Sequence, residues 1–223
     1  MIPQAVVFDL DGTLIDSLPA IHEVVLEVCK SFGLPEPESS TVRGFVGGGV
    51  PVMATRLLKW AKAKPDAGLQ DRVVAALLEA YETVPLSRNV VFPEVQPMLN
   101  TLWEQGLALG LCTNKPRAPT RALLRGMRLG PFAAIVCGDD LPVRKPDPAP
   151  LLKCCARLGV EPEHTLYVGD SEIDHATAAS AGVPFVLREG GYLNSPLRRP
   201  EPRLRLKMLS QLCDGPTLEV PDA

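Results

Sequence analysis

At 223 residues, 46% hydrophobic and 22% charged, the chain can bury a sizeable core as one large or two modest domains. A formal net charge of −3 gives no electrostatic reason to expect nucleic acid as a partner, and no apolar stretch is long enough to span a membrane. The N-terminus runs almost directly into strand-like sequence without the regions of a signal peptide, so a cytoplasmic location is expected.

Short aliphatic runs at 4–9, 107–113, 133–137, 165–169 and 184–187 read as strands covered on both faces. Helical patterns at 94–105, 117–129, 147–159 and 174–182 alternate with them, which implies βαβ units around a parallel sheet. Asp147 followed by Pro148 predicts a helix start, a capping side chain and then proline in the first turn. The alternation fails once, between the first strand and the second, where the chain is far longer than one crossover needs. Ile21, Val24, Val25, Val28, Cys29 and Phe32 form a helical stripe there, with Asp16 or Ser17 as its cap. Val52 to Trp60 and Val73 to Tyr81 suggest two more helices, punctuated by Pro35-Glu36-Pro37, Gly47-Gly48-Gly49 and Pro65-Asp66. The expected architecture is therefore α/β: a Rossmann-like parallel-sheet core over 1–15 and 86–223, and a small α-helical cap inserted over 16–85. The proline- and arginine-rich piece after Tyr192 and the last residues are expected to be surface structure without an assigned role.

Six cysteines, at 29, 112, 137, 154, 155 and 213, are scattered without zinc-type pairing. Cys112 and Cys137 read as buried thiols, and adjacent Cys154 and Cys155 on one helix should diverge, so no disulfide framework is expected.

Four clusters stand at or just beyond the ends of strands: Asp9-Leu10-Asp11-Gly12-Thr13, Thr113-Asn114, Lys145, and Gly169-Asp170-Ser171-Glu172-Ile173-Asp174. In an open parallel sheet such ends converge on one crevice. Together they suit phosphate chemistry on magnesium, where charge, alignment and proton transfer to the leaving oxygen must be supplied. Asp9 is the candidate nucleophile. Asp11, two residues on and on the same side of an extended backbone, is the candidate acid and base. Asp9, the Asp11 carbonyl and Asp170 offer the hard oxygens magnesium prefers. Asp174 coordinates through water or orients a neighbour, and Ser171-x-x-Asp174 is equally a capping box. Lys145 would offset phosphate charge, and Thr113 and Asn114 would donate to phosphate oxygens. Lys115 and Arg117 lie close by, with a solvent-facing position as the plain alternative. In the insertion, Arg43, Gly47 and Gly48 are the candidates for reading the non-phosphate end of a substrate; a flexible turn is the alternative. His164 and His175 are expected at the surface, and His22 either on a helix surface or facing the crevice.

All four clusters, with the helical insertion, resemble the haloacid dehalogenase superfamily over essentially the whole chain. Phe8-Asp9-Leu10-Asp11-Gly12-Thr13-Leu14-Ile15-Asp16-Ser17, Thr113-Asn114-Lys115-Pro116 and Arg43 to Pro51 look most like its phosphoglycolate phosphatases. The resemblance implies a magnesium-dependent hydrolase of a small phosphorylated substrate. Asp9 would be its nucleophile, Asp11 its acid and base, Thr113 and Lys145 its phosphate ligands, and Asp170, supported by Asp174, its metal site. Dehalogenation is disfavoured because Asp11 supplies a proton that an ester leaving group needs. Open alternatives are a β-phosphoglucomutase-like mutase, a nucleotide or pyrophosphate phosphatase, and a non-catalytic relative; a monomer or homodimer is expected.

Overall fold

The computed structural model describes residues 3–64 and 66–214, so Pro65 and the last nine residues of the tail lie outside it. Its strands are β1 (Ala5–Phe8), β2 (Ile15–Asp16), β3 (Val90–Val91), β4 (Ala108–Cys112), β5 (Ala134–Val136), β6 (Thr165–Gly169), β7 (Phe185–Arg188) and β8 (Leu204–Leu206). Its α-helices are α1 (Leu18–Phe32), α2 (Ser39–Arg43), α3 (Val50–Trp60), α4 (Leu69–Thr83), α5 (Val95–Glu104), α6 (Arg117–Gly126), α7 (Ala149–Leu158) and α8 (Glu172–Ala181).

Six strands pair in the order β5-β4-β1-β6-β7-β8, every pair parallel. Alternate side chains explain why β1 is apolar throughout. Val6 and Phe8 join a core built with Leu99, Leu102, Leu123 and Leu124, whereas Val7 joins one built with Leu151, Cys154 and Ala178. Helices α5 and α6 thus cover one face of the sheet, and α7 and α8 the other. The chain leaves β1 for β4 on one side and returns to β6 on the other, so the order reverses at β1 and its C-terminal end opens on a crevice.

The expected strands and crossover helices are present with ends shifted by a residue or a few. Asp147 Oδ1 accepts from the Ala149 amide (2.8 Å), and α7 starts there. Asp16 Oδ1 likewise accepts from the Leu18 amide at the head of α1 (3.1 Å); Ser17 makes no side-chain capping bond. Between β1 and β4, helices α1, α3 and α4 share an apolar core of their own, including Val25, Val28, Ala54, Leu57, Val73 and Leu77.

The ribbon β2–β3 pairs Ile15 with Val91 and Asp16 with Val90, joining the chain where it enters the helical stretch to where it leaves. Two-residue strands carry too little periodicity to be read from sequence. The piece after Tyr192 corrects the expectation of plain surface structure: Leu204–Leu206 is the edge strand β8, and buried Leu206, Leu209 and Leu212 complete the core beside α5. His175 is a second correction. It is buried edge-on to Phe185 (5.4 Å between centroids), its Nε2 2.6 Å from the Pro200 carbonyl. His22 Nε2 is bound to the Pro37 carbonyl (2.9 Å) within the helical stretch. Every cysteine is free, and Cys154 turns to the Leu111 carbonyl. Among the described residues no helix is long and apolar enough to cross a membrane.

Candidate active site

Asp9 follows β1 directly, and its amide continues the ladder by donating to the Val168 carbonyl (2.9 Å). Thr113 does the same after β4, donating to the Val136 carbonyl (3.0 Å). Asp170 follows β6, and Asp174 lies in the first turn of α8. Carboxylate oxygens of Asp9, Asp170 and Asp174 consequently lie within 4.8 Å of one another, all buried, a spacing that can hold a metal ion.

Each carboxylate has a different set of partners. Asp170 is fixed through Oδ1 by the Thr13 hydroxyl (2.8 Å) and through Oδ2 by the Tyr192 amide. Two glycines make room for it: an added Cβ would come within 2.4 Å of its Oδ2 at Gly12 and within 2.2 Å at Gly191. Gly12 also has φ +85°, which a β-carbon resists. Asp174 is saturated. Its Oδ1 accepts from Lys145 Nζ (2.7 Å) and the Tyr167 hydroxyl (2.8 Å), and its Oδ2 from the Ser171 hydroxyl (2.6 Å) and amide (3.2 Å). The reciprocal Asp174 amide to Ser171 bond (3.3 Å) makes the capping box read from the sequence. Asp9 is the least satisfied: Lys145 Nζ approaches its Oδ1 to 2.8 Å as an ion pair, yet that buried oxygen makes no aligned hydrogen bond.

Three carboxylates against one lysine set the electrostatics. Burial is the main force pushing Asp9 up to about 7, helped by Asp174 and Asp11 and opposed by Lys145. Burial, then Asp174 and Asp9, holds Asp170 well above the carboxylate range, despite its bonds from Tyr192 and Thr13. Asp174 goes the other way. Burial alone would raise it, but Lys145, Ser171 and Tyr167 together hold it below the usual range. The Lys145 ammonium is likewise held charged against its own desolvation, mainly by Asp174 and Asp9. With all three carboxylates ionised, the site would carry a negative excess that Lys145 alone does not neutralise.

A narrow cleft of about 30 Å³, far below the size of an ordinary ligand pocket, opens over Asp9 and Asp11. Thr113, Asn114, Lys115 and Pro116 form one wall; Ile21, Val46, Gly47, Gly49, Val50, Met53 and Tyr81 from the helical stretch form the other. The structure thus brings Asp9, Asp11, Thr113, Asn114 and Gly47 to one cavity, with Lys145, Asp170 and Asp174 behind Asp9. Asn114 is used as a clamp: its Nδ2 donates to the Gly47 and Lys145 carbonyls (both 2.9 Å), and its Oδ1 accepts from the Lys145 amide (3.0 Å). Gly48 packs on Val52, where an added Cβ would come within 2.6 Å. Arg43 is not in the cleft wall; it donates to the Gly191 carbonyl and lies over the Tyr192 ring (5.8 Å).

Sequence reasoning missed or misplaced several residues here. Lys115 is buried and bonded to Asp11 Oδ1 (3.0 Å) rather than solvated, and Arg117 pairs with Asp140. Tyr167 supports Asp174 from inside β6. Tyr192 holds Asp170 with its amide while its hydroxyl accepts from the Ser17 amide (3.1 Å) and meets Asp16 (3.2 Å). Arg188, also buried, donates to the Gly12 carbonyl (3.1 Å) and lies 3.8 Å from the Phe92 ring centroid.

The family description "haloacid dehalogenase-like hydrolase" matches residues 6–187. A phosphoglycolate phosphatase of Cereibacter sphaeroides is 42% identical over 194 residues, covering 86% of this chain and 88% of the relative. Another, of Pseudomonas putida, is 38% identical over 219 residues, covering 96% of this chain and 80% of the relative. A crystal structure described as a predicted phosphoglycolate phosphatase from Haemophilus somnus is similar at a TM-score of 0.85 and 28% identity, covering 96% of this chain and 97% of its own.

Proposed function

The chain belongs to the haloacid dehalogenase-like hydrolase family and is a phosphoric monoester hydrolase; from that premise we propose that it cleaves 2-phosphoglycolate to glycolate and phosphate through an aspartyl-phosphate on Asp9. One observation carries the reading: Asp9 and Asp11 face one small cleft, and Asp9, with an unsatisfied buried oxygen, stands 2.8 Å from Lys145.

Magnesium fits the residues present. The donors are hard oxygens, the negative excess calls for a divalent charge, and the orphaned Asp9 oxygen lacks a partner. Asp9, Asp170 and the Asp11 carbonyl would hold it, and when bound it supplies positive charge against the phosphoryl oxygens. Asp174, saturated by Lys145, Tyr167 and Ser171, acts by orienting Lys145.

Asp9 attacks phosphorus, forming an acyl-phosphate bond as the bond to the leaving oxygen breaks. Asp11 gives that oxygen a proton, then takes one from the water that cleaves the acyl-phosphate and restores Asp9. Thr113 and Lys145 hold phosphoryl oxygens, and Asn114 fixes the Lys145 loop. Residues 1–15 and 86–223 are the hydrolase core in this reading. Residues 16–85 are a cap whose apolar wall excludes water from the cleft.

Asp9→Asn tests the nucleophile: turnover should vanish while thermal melting shows a folded protein, and substantial residual rate refutes the assignment. Steady-state comparison of 2-phosphoglycolate with sugar and nucleotide phosphates tests the substrate; a low rank for 2-phosphoglycolate overturns it.

A further inference from the structure

Lys145 donates to Asp174 and Tyr167, is paired with Asp9, and does not line the cleft wall. Among the described residues lining the cleft, Lys115 is the sole cation. Its side chain is 3% exposed, and its ammonium bonds Asp11 Oδ1 (3.0 Å) and Oδ2 (3.4 Å) from above the Tyr81 ring (4.8 Å to the centroid). An ammonium has three donors, and only the Asp11 carboxylate and the ring face engage this one. A cation this buried is costly to leave unpaired, so any ligand group that separates it from Asp11 must itself be an anion.

The rest of the wall limits what that anion can be. Ile21, Val46, Val50 and Met53 are apolar, and the cleft is small. Beyond the phosphate, then, the wall from the helical stretch offers mainly hydrocarbon and the Gly47 and Gly49 backbone, and the one positive charge is Lys115. Arg43, the arginine singled out by sequence, is spent on Gly191 and Tyr192.

We propose that Lys115 is the specificity-determining residue: it binds the substrate's carboxylate and, in exchanging partners, releases Asp11 to serve the leaving oxygen. This rests on the reading of 2-phosphoglycolate as substrate. The exchange swaps one carboxylate for another on the same ammonium, so the buried charge stays paired throughout. Esters without a carboxylate leave the Lys115–Asp11 pair intact and are handled with the acid still engaged.

The test compares kcat/KM for 2-phosphoglycolate with kcat/KM for ethyl phosphate, which has the same two carbons and no carboxylate. Taking this ratio in wild type and variants cancels the two leaving groups' different reactivities, and any equal damage to Asp11. A lost charge-assisted hydrogen bond predicts that the ratio falls on the order of 10- to 100-fold in Lys115→Met. Lys115→Gln should lose as much, and it covers the case in which methionine is not tolerated; thermal melting identifies the folded variants. Lys115→Arg should recover part of the ratio. A folded Met or Gln variant that keeps the wild-type ratio overturns the proposal while the substrate assignment stands. A wild-type ratio near one removes the substrate assignment, and this proposal with it.

Discussion

Adding or withdrawing magnesium at different pH tests the charge balance of the site directly. Asp9 has a folded-state pKa of about 7 against 3.8 for the free side chain, and Asp170 is raised as well. Both are raised, so without metal their stabilising contribution is fully present below about pH 4 and is lost as pH rises. For Asp9 the loss runs through about pH 7, and Asp170 adds a loss of the same sign. The Asp9 difference alone corresponds to roughly 4 kcal/mol, taken without a solvent discount because the side chain is buried. A divalent cation reverses the sign by binding the ionised forms, displacing protons as it does. Apparent magnesium affinity should therefore rise about tenfold per pH unit between pH 5.5 and 7 for each proton displaced. Calorimetric titration in buffers of different ionisation enthalpy counts those protons, and melting with and without magnesium should show a gap that widens with pH. A flat affinity across that range with no proton released would mean that Asp9 is already ionised without metal, and the charge argument would fail.

Lys145→Met removes the lone counter-charge of a buried cluster and should cost about 3–5 kcal/mol at neutral pH; denaturant midpoints should show a smaller loss at pH 5, where Asp9 is protonated in the folded state, and an equal loss at both would refute the pairing argument. Gly191→Ala places a methyl within 2.2 Å of Asp170 Oδ2, so magnesium affinity should drop at least about tenfold while circular dichroism is unchanged; wild-type affinity would show that the loop yields at no cost to Asp170.

The core was legible because its strands are buried on both faces, and a continuous apolar run such as Ala5-Val6-Val7-Phe8, too short for a helix, suits a strand between two helical layers. The acidic and lysine clusters were legible because they stand where such strands end. What escaped depends on contacts between segments far apart in sequence. Lys115 looks like a solvated loop lysine until Asp11, 104 positions away, is placed against it. Tyr167 looks like one more core aromatic, and only α8 folding back turns its hydroxyl into a support for Asp174. Leu206, Leu209 and Leu212 sit in a proline- and arginine-rich tail whose local composition argues for surface; the edge of β7 and the face of α5 recruit them into the core. Arg43 misled for the opposite reason, since a glycine-flanked arginine beside a cleft suits anion binding until Gly191 is found to take its guanidinium.

The helical stretch reaches the clustered acids through few polar contacts. Asn114 bonds Gly47 on one side and the Lys145 loop on the other. Tyr192 holds Asp170 with its amide while its hydroxyl is bound at Ser17 and Asp16, and Arg43 grips the adjoining Gly191 carbonyl. A neutral hydrogen bond contributes on the order of 1 kcal/mol net and one to a charged group about 1.5–3 kcal/mol, so each attachment is separately reversible. Yet every one ends on a residue that orients Asp170 or Lys145. The acids and the lysine are thus held in register by the same contacts that seat the helices over the cleft, so loss of that seating would loosen Asp170 and Lys145 before it disturbed the sheet.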